Sequence, residues 1–206
     1  MYATKKEAVI HSGTLSKPRK MPGKSWGIAA LSNCKTGSAL AKVEGSVCSD
    51  CYACKGQYGF KNVRQAHDMR KELSLKPKWI SAMIKMVETE SYFRWHDSGD
   101  LYSYEYLLKI MEVVRGTPNT KHWLPTKEKA LIKRYLKEHK VIPSNLTVRI
   151  SGAMVDGDAP KVDGINTSTV VTDGSQTCPA YSQGGECKDC RACWDSKVAN
   201  VSYPKH

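Results

Sequence analysis

The sequence predicts an α/β protein: a partial (β/α) barrel or curled parallel sheet with cysteine-rich N- and C-terminal loops. Two observations predict it. From Trp26 to Gly174, short apolar runs of strand character alternate with segments of helical period, the order that builds parallel sheets. All eight cysteines fall in two groups toward the ends of the chain, Cys34, Cys48, Cys51 and Cys54, then Cys178, Cys187, Cys190 and Cys193. We therefore expect a single domain over 1–206. It comprises an extended arm (1–25), an α/β core (26–174, first cysteine group at 34–54) and a cysteine-rich C-terminal segment (175–206).

Residues 1–25 hold several glycines, prolines and lysines with little periodicity, hence the arm. Trp26 to Leu31 reads as a short buried strand. Residues 32–60 are rich in turn formers and read as a loop that a metal would order. Val63, Ala66, Arg70 and Leu73 mark one helix. Trp79, Ile80, Met83, Ile84 and Val87 mark the next, with Pro77 where a helix start tolerates it. Tyr92 to His96 reads as a strand. Ser103 is the expected N-cap of a helix with Tyr104, Leu107, Leu108, Met111 and Val114 on one face, stopped at Gly116 to Asn119. Lys121 to Leu124 is a strand, and Thr126 the expected cap of a helix carrying Leu131, Ile132, Tyr135 and Leu136. Leu146 to Ile150 and Thr169 to Thr172 are further strands. From 175 onward no periodic pattern is visible.

Charge and composition bound the function. The chain carries a formal net charge of +12. Long-range attraction to nucleic acid or to an acidic partner protein follows from such a charge. The basic residues are scattered apart from Lys17 to Lys20, which favours a solvated lysine-rich surface over a nucleic-acid interface. No apolar run approaches the roughly 18 residues of a membrane span, and the first residues lack a signal-peptide pattern, so the expected location is cytoplasmic with no membrane partner. In a reducing compartment, clustered cysteines read as metal ligands before disulfides.

Both cysteine groups contain a C-x2-C-x2-C run with one cysteine upstream. Three cysteines so spaced can reach three iron corners of a [4Fe–4S] cube from one loop, the remote cysteine taking the fourth, as in ferredoxin runs where a Cys-Pro pair also occurs. Cys178-Pro179 shares that feature. Structural zinc usually takes two separate C-x2–4-C pairs, so zinc is the alternative metal. In the first group Cys54 is either a ligand or a spare thiol. Two four-cysteine sites, a three-cysteine cluster with one open iron, and a single site combining both ends of the chain all remain open.

Ligands of α/β sheets and barrels bind at the carboxyl ends of strands. Arg94, Trp95, His96, Asp97, Asp100, Trp123, Lys127 and Arg149 cluster at such ends and are the candidate cofactor-binding residues. Arginines, a lysine and indoles suit a flat anionic cofactor; the alternative is strand capping by Asp97 and Asp100 and a packed His96. No dinucleotide, P-loop or serine-hydrolase motif is present.

The segments Met21 to Trp26, Cys51 to Gly56, Phe93 to Asp100, Trp123 to Glu128 and Cys187 to Asp195 resemble the bacteriophage gene product 88 family. The resemblance implies a phage-encoded protein acting inside an infected host cell, and in it Cys54 falls at a variable position. A more distant similarity is to radical S-adenosylmethionine enzymes, which combine a partial barrel, an N-terminal three-cysteine cluster and sometimes a cysteine-rich C-terminal extension. Their usual run is C-x3-C-x2-C, and this chain departs from it. The expected function is an iron–sulfur protein with one or two [4Fe–4S] clusters, acting in electron transfer or a cluster-dependent redox reaction as an oxidoreductase. A flavin or S-adenosylmethionine is the candidate organic cofactor, and an acidic protein the candidate redox partner. The alternative is a zinc-stapled basic protein that binds nucleic acid without redox activity.

Overall fold

The computed structural model describes residues 2–205. Met1 and His206, both within the expected domain, lie outside the described residues. Strands β1 (Lys24–Trp26), β2 (Tyr92–Trp95), β3 (Lys121–Thr126), β4 (Leu146–Val155), β5 (Asn166–Val171) and β6 (Asn200–Pro204) form one six-stranded sheet in sequence order. Every neighbouring pair is parallel, and β1 and β6 stay unpaired with each other, so the sheet is open. This is a curled parallel sheet of the kind the alternation implies.

The two faces are covered differently, because side chains alternate across a strand. Phe93 and Trp95 of β2 point to the face packed by α1 (Lys5–Ser12), α4 (Trp79–Val87), α5 (Tyr104–Gly116) and α6 (Lys129–His139), where Trp26, Trp79, Leu107, Ile110 and Tyr135 form the main core. Tyr92, Trp123 and Val201 belong instead to a second apolar cluster with Met21, Cys178, Ala180, Cys193 and Trp194. The C-terminal segment therefore fills the face that the helices leave free. Arg149 fastens it there. Fully buried, its guanidinium donates to the carbonyls of Thr167, Ala192, Cys193, Asp195 and Val198 at 2.7–3.2 Å.

Several local expectations are corrected. The expected arm contains helix α1, capped by a reciprocal Thr4–Glu7 box. The Trp26 indole donates to the Ser12 carbonyl at 2.8 Å and seats that helix on the sheet. The first strand begins two residues earlier than expected and ends at Trp26. The loop at 32–60 includes a short helix, α2 (Lys35–Leu40), and two 3-10 turns. Thr126 does not cap α6: Glu128 occupies that position, while Thr126 Oγ1 donates to Asp100 and accepts the Glu128 amide. The segment after 175 supplies β6, which pairs with β5 from Thr167 opposite Asn200 to Val171 opposite Pro204. The helices marked by Val63 to Leu73 and by Trp79 to Val87 form as α3 (Lys61–Leu75) and α4, and Ser103 caps α5 through the Tyr106 amide.

Candidate metal centre at the strand ends

A cavity of about 610 Å³ opens at the carboxyl ends of the strands. Residues following β2 (His96, Ser98, Gly99, Asp100) and β3 (Lys127) line it, with Ser151 and Gly152 in the second half of β4 and Tyr203 and Pro204 of β6. Six of the eight cysteines line it as well: Cys34, Cys48 and Cys51 from the first group, and Cys178, Cys187 and Cys193 from the second. Cys54 and Cys190 are outside the lining set. Two groups far apart in sequence thus share one space.

Local structure explains how the first group arrives there. Cys34 immediately precedes α2, whose first turn is held by Glu128: its carboxylate accepts the Thr36 amide at 2.8 Å and the Thr36 hydroxyl at 2.9 Å. A Cβ on Gly37 would sit 2.9 Å from the Cys34 Cβ, too close to be tolerated, so the missing side chain leaves room for Cys34, with the Cys48 Sγ in ordinary contact distance at 3.6 Å. The chain then bridges β4. Val47 donates to the Ala153 carbonyl at 2.9 Å and Val155 to the Gly45 carbonyl at 3.0 Å, where β4 carries a register shift. Cys48 follows directly. The Tyr52 and Tyr58 hydroxyls both donate to the Asp97 carbonyl, at 2.8 and 3.2 Å, and tie the Cys51–Cys54 turn to the end of β2. The exposed Cys54 hydrogen-bonds Cys51.

The second group is held by backbone. Cys178 donates its amide to Ser202 of β6 at 3.0 Å, and Cys187 to the Lys20 carbonyl at 2.8 Å. The Cys193 thiol lies 3.2 Å from the Tyr203 hydroxyl. Trp194 donates to the Phe93 carbonyl at 2.9 Å and meets Trp123 edge-on at 5.4 Å.

Burial pushes the Cys34 thiol up to about 12 and the Cys193 thiol to about 11, and it raises Cys48 and Cys187 too. Nearby cations oppose this, Lys127 at Cys48, Lys20 and Arg191 at Cys187, and Arg149 and Arg94 at Cys193. Burial lowers the Lys127 ammonium, while Cys48, Asp100, Cys51 and Cys34 around it favour its charged form. Lys127 donates to the Gly152 carbonyl at 2.5 Å. Among the described residues, neither Lys127 nor Arg94 forms an ion pair with a carboxylate. The Asp100 oxygens are taken by the Thr126 hydroxyl at 2.5 Å and the Leu101 and Lys127 amides at 2.7 and 2.8 Å.

The other predicted pocket residues divide. Arg94, His96, Asp100, Trp123 and Lys127 line the cavity. Trp95 does not: it packs in the core against Trp26, Trp79 and His122. Arg149 is a fastener beneath the C-terminal segment. Asp97 is buried beside Gly27 and contributes its carbonyl to the Tyr52–Tyr58 tie. Sequence reasoning missed Tyr52, Tyr58 and Tyr203. Tyr52, between two cysteines of a C-x2-C, carried the one available signal. Among the described residues, no set of three or more Cys, His, Asp or Glu side chains is gathered tightly enough to chelate a metal ion as it stands.

The family model for gene product 88 matches residues 3–196. The chain belongs to the phage gene product 88 family. No curated protein and no solved structure matches it. For this gene product 88 chain, the assignment of chemistry rests on the residues of the cavity.

Proposed function

We propose that the protein is an iron–sulfur protein with two thiolate-held centres opening on one cavity, acting in electron transfer or a cluster-dependent redox reaction. The observation that carries this reading is the convergence of six cysteines, from both ends of the chain, on a cavity that the half-buried cations Lys127 and Arg94 also line. Cations partly withdrawn from water and without a carboxylate partner favour negative charge beside them, and thiolate-ligated clusters supply it. Cavity-wall residues Ser98 and Trp123 also carry buried polar atoms without protein partners, Oγ and Nε1, as the wall of a liganded site would. Cys178, Cys187, Cys190 and Cys193 would hold one cluster. Cys34, Cys48 and Cys51 would hold the other, with Cys54 as a fourth ligand or a spare thiol. A [4Fe–4S] cluster, when bound, supplies one-electron chemistry. Metal binding must displace thiol protons, and the raised thiols make loading more favourable as pH rises.

The polypeptide's own part is positional. Glu128 and Gly37 set Cys34 and Cys48, the tyrosine tie sets Cys51, and Arg149 sets the segment bearing Cys193. The basic surface would attract an acidic redox partner. A parallel strand array with a cysteine group after its first strand is the arrangement that the sequence resemblance to radical S-adenosylmethionine enzymes implies. S-adenosylmethionine and flavin are therefore the organic ligands to assay.

Protein purified without oxygen is expected to be brown, with absorption near 400 nm that bleaches on dithionite, and to contain iron and acid-labile sulfide. Cys190→Ser should remove one cluster's complement of iron. Colourless protein with stoichiometric zinc would overturn the reading in favour of a zinc-stapled basic protein. A yellow chromophore released on denaturation would establish a flavin.

A further inference from the structure

Arg94 lines the cavity that the two cysteine groups share and reaches each group through an aromatic neighbour, Tyr52 on one side and Trp123 on the other. Toward the first, its Nη2 donates to the Tyr52 hydroxyl at 3.0 Å, and Tyr52 follows Cys51 directly in the chain. The same nitrogen reaches the His96 carbonyl at 3.4 Å. Toward the second, the guanidinium lies 4.6 Å over the Trp123 ring, which packs against Trp194, the neighbour of Cys193. It also acts electrostatically on Cys193 and on Tyr203, the tyrosine that hydrogen-bonds Cys193. Its Nη1 contacts Met21 Sδ at 3.8 Å. Nε is buried without a partner.

A planar fork that hydrogen-bonds on one side and stacks on the other cannot be replaced by a point charge. A guanidinium shared between two sites that become anionic on loading favours the charged form of each.

We propose that Arg94 is a positioning residue that makes the two cysteine groups one unit, supporting metal loading at both and setting the charge balance that each feels. The proposal rests on the metal-centre reading given above. Outer partners of metal ligands typically contribute 10–100-fold in affinity. Arg94→Gln is therefore expected to weaken loading about tenfold or more at each group.

The experiment reads each group alone. Cys190→Ser disables the second group and Cys48→Ser the first, and Arg94→Gln is placed in each background. Bound iron and zinc are measured per chain after titration with a competing chelator, with circular dichroism confirming the fold. The expected result is loss in both backgrounds. In iron-loaded protein, the reduction potentials of both centres should also move negative, because removal of a nearby positive charge favours the oxidised form. Arg94→Lys should restore the potentials more than the loading, since it keeps the charge and loses the fork. Loss confined to one group, or unchanged loading and potentials in both, would overturn the bridge. Zinc without iron would sink the iron–sulfur reading while zinc content still tests the bridge. A wild-type chain that binds neither metal would overturn both.

Discussion

At the residue scale, buried polar side chains carry the most consequence. Arg149 was legible as a functional candidate because it lies near the end of the strand-like run Leu146 to Ile150. Its role was not legible, since its acceptors are carbonyls 18 to 49 residues away in the chain. Truncating it would strand several buried carbonyls, each costing about 1–3 kcal/mol when unsatisfied. Arg149→Met is expected to destabilise the protein by about 3 kcal/mol or more and to loosen the segment around Cys193. Urea denaturation and the fluorescence of Trp194 would register it; an unchanged midpoint would show that the carbonyls find other donors. His96 shows a related limit. The sequence places it at the end of a strand, but only the structure shows its left-handed backbone (φ 54°), with its amide bonded to the Trp26 carbonyl at 2.9 Å. Gly99, three residues on, has φ 78°, and a Cβ there would come to 2.5 Å from Ile28. The β1 and β2 ends press together at that point.

At the scale of elements, helices were read better than the short strands. The helix α5 is set by local signals: the apolar face and the Ser103 cap. Ser103→Ala is expected to cost about 1 kcal/mol, measured as a shift in the urea midpoint at constant slope; no shift would mean that another group caps the Tyr106 amide. Helix α1 had its own local signal, the T-x-x-E spacing of Thr4 and Glu7, masked by the Gly- and Pro-rich residues after it. Strand β6 had none. Asn200-Val-Ser-Tyr-Pro204 has no strong alternation, and its identity comes from pairing with β5. The extension of β4 to Val155 likewise depends on contacts with residues 45–47.

At the scale of the whole molecule, burial sets the response to acid. Burial pulls both His96 and His122 down to about 3, against about 6.5 in an unfolded chain. The unfolded state therefore binds protons first as pH falls below 6.5, and stability drops until the folded values near 3 are reached. Asp100 acts oppositely: burial raises it to about 6, so it favours the folded state as pH falls from 6 toward 4. These two histidines against this one carboxyl contribute a loss of about 1.4 kcal/mol per pH unit between pH 6 and 4, and His67, also lowered by burial, adds to it. His122→Asn should remove about that slope. Urea midpoints at pH 6.5, 5.5 and 4.5 for both proteins would check it, and parallel curves would show that His122 is protonated in the folded state.

The sequence by itself determined the parallel α/β order, the helices α3 to α6 and the division of cysteines into two groups. Those features follow from period, caps and spacing, which are local. Only the tertiary structure decided that both cysteine groups face one cavity, that the C-terminal segment occupies the face of the sheet without helices, and that Trp95 and Arg149 serve packing and fastening. Those outcomes depend on how the sheet curls and on which distant backbone groups a buried side chain must satisfy, and neither is written in any short stretch of the chain.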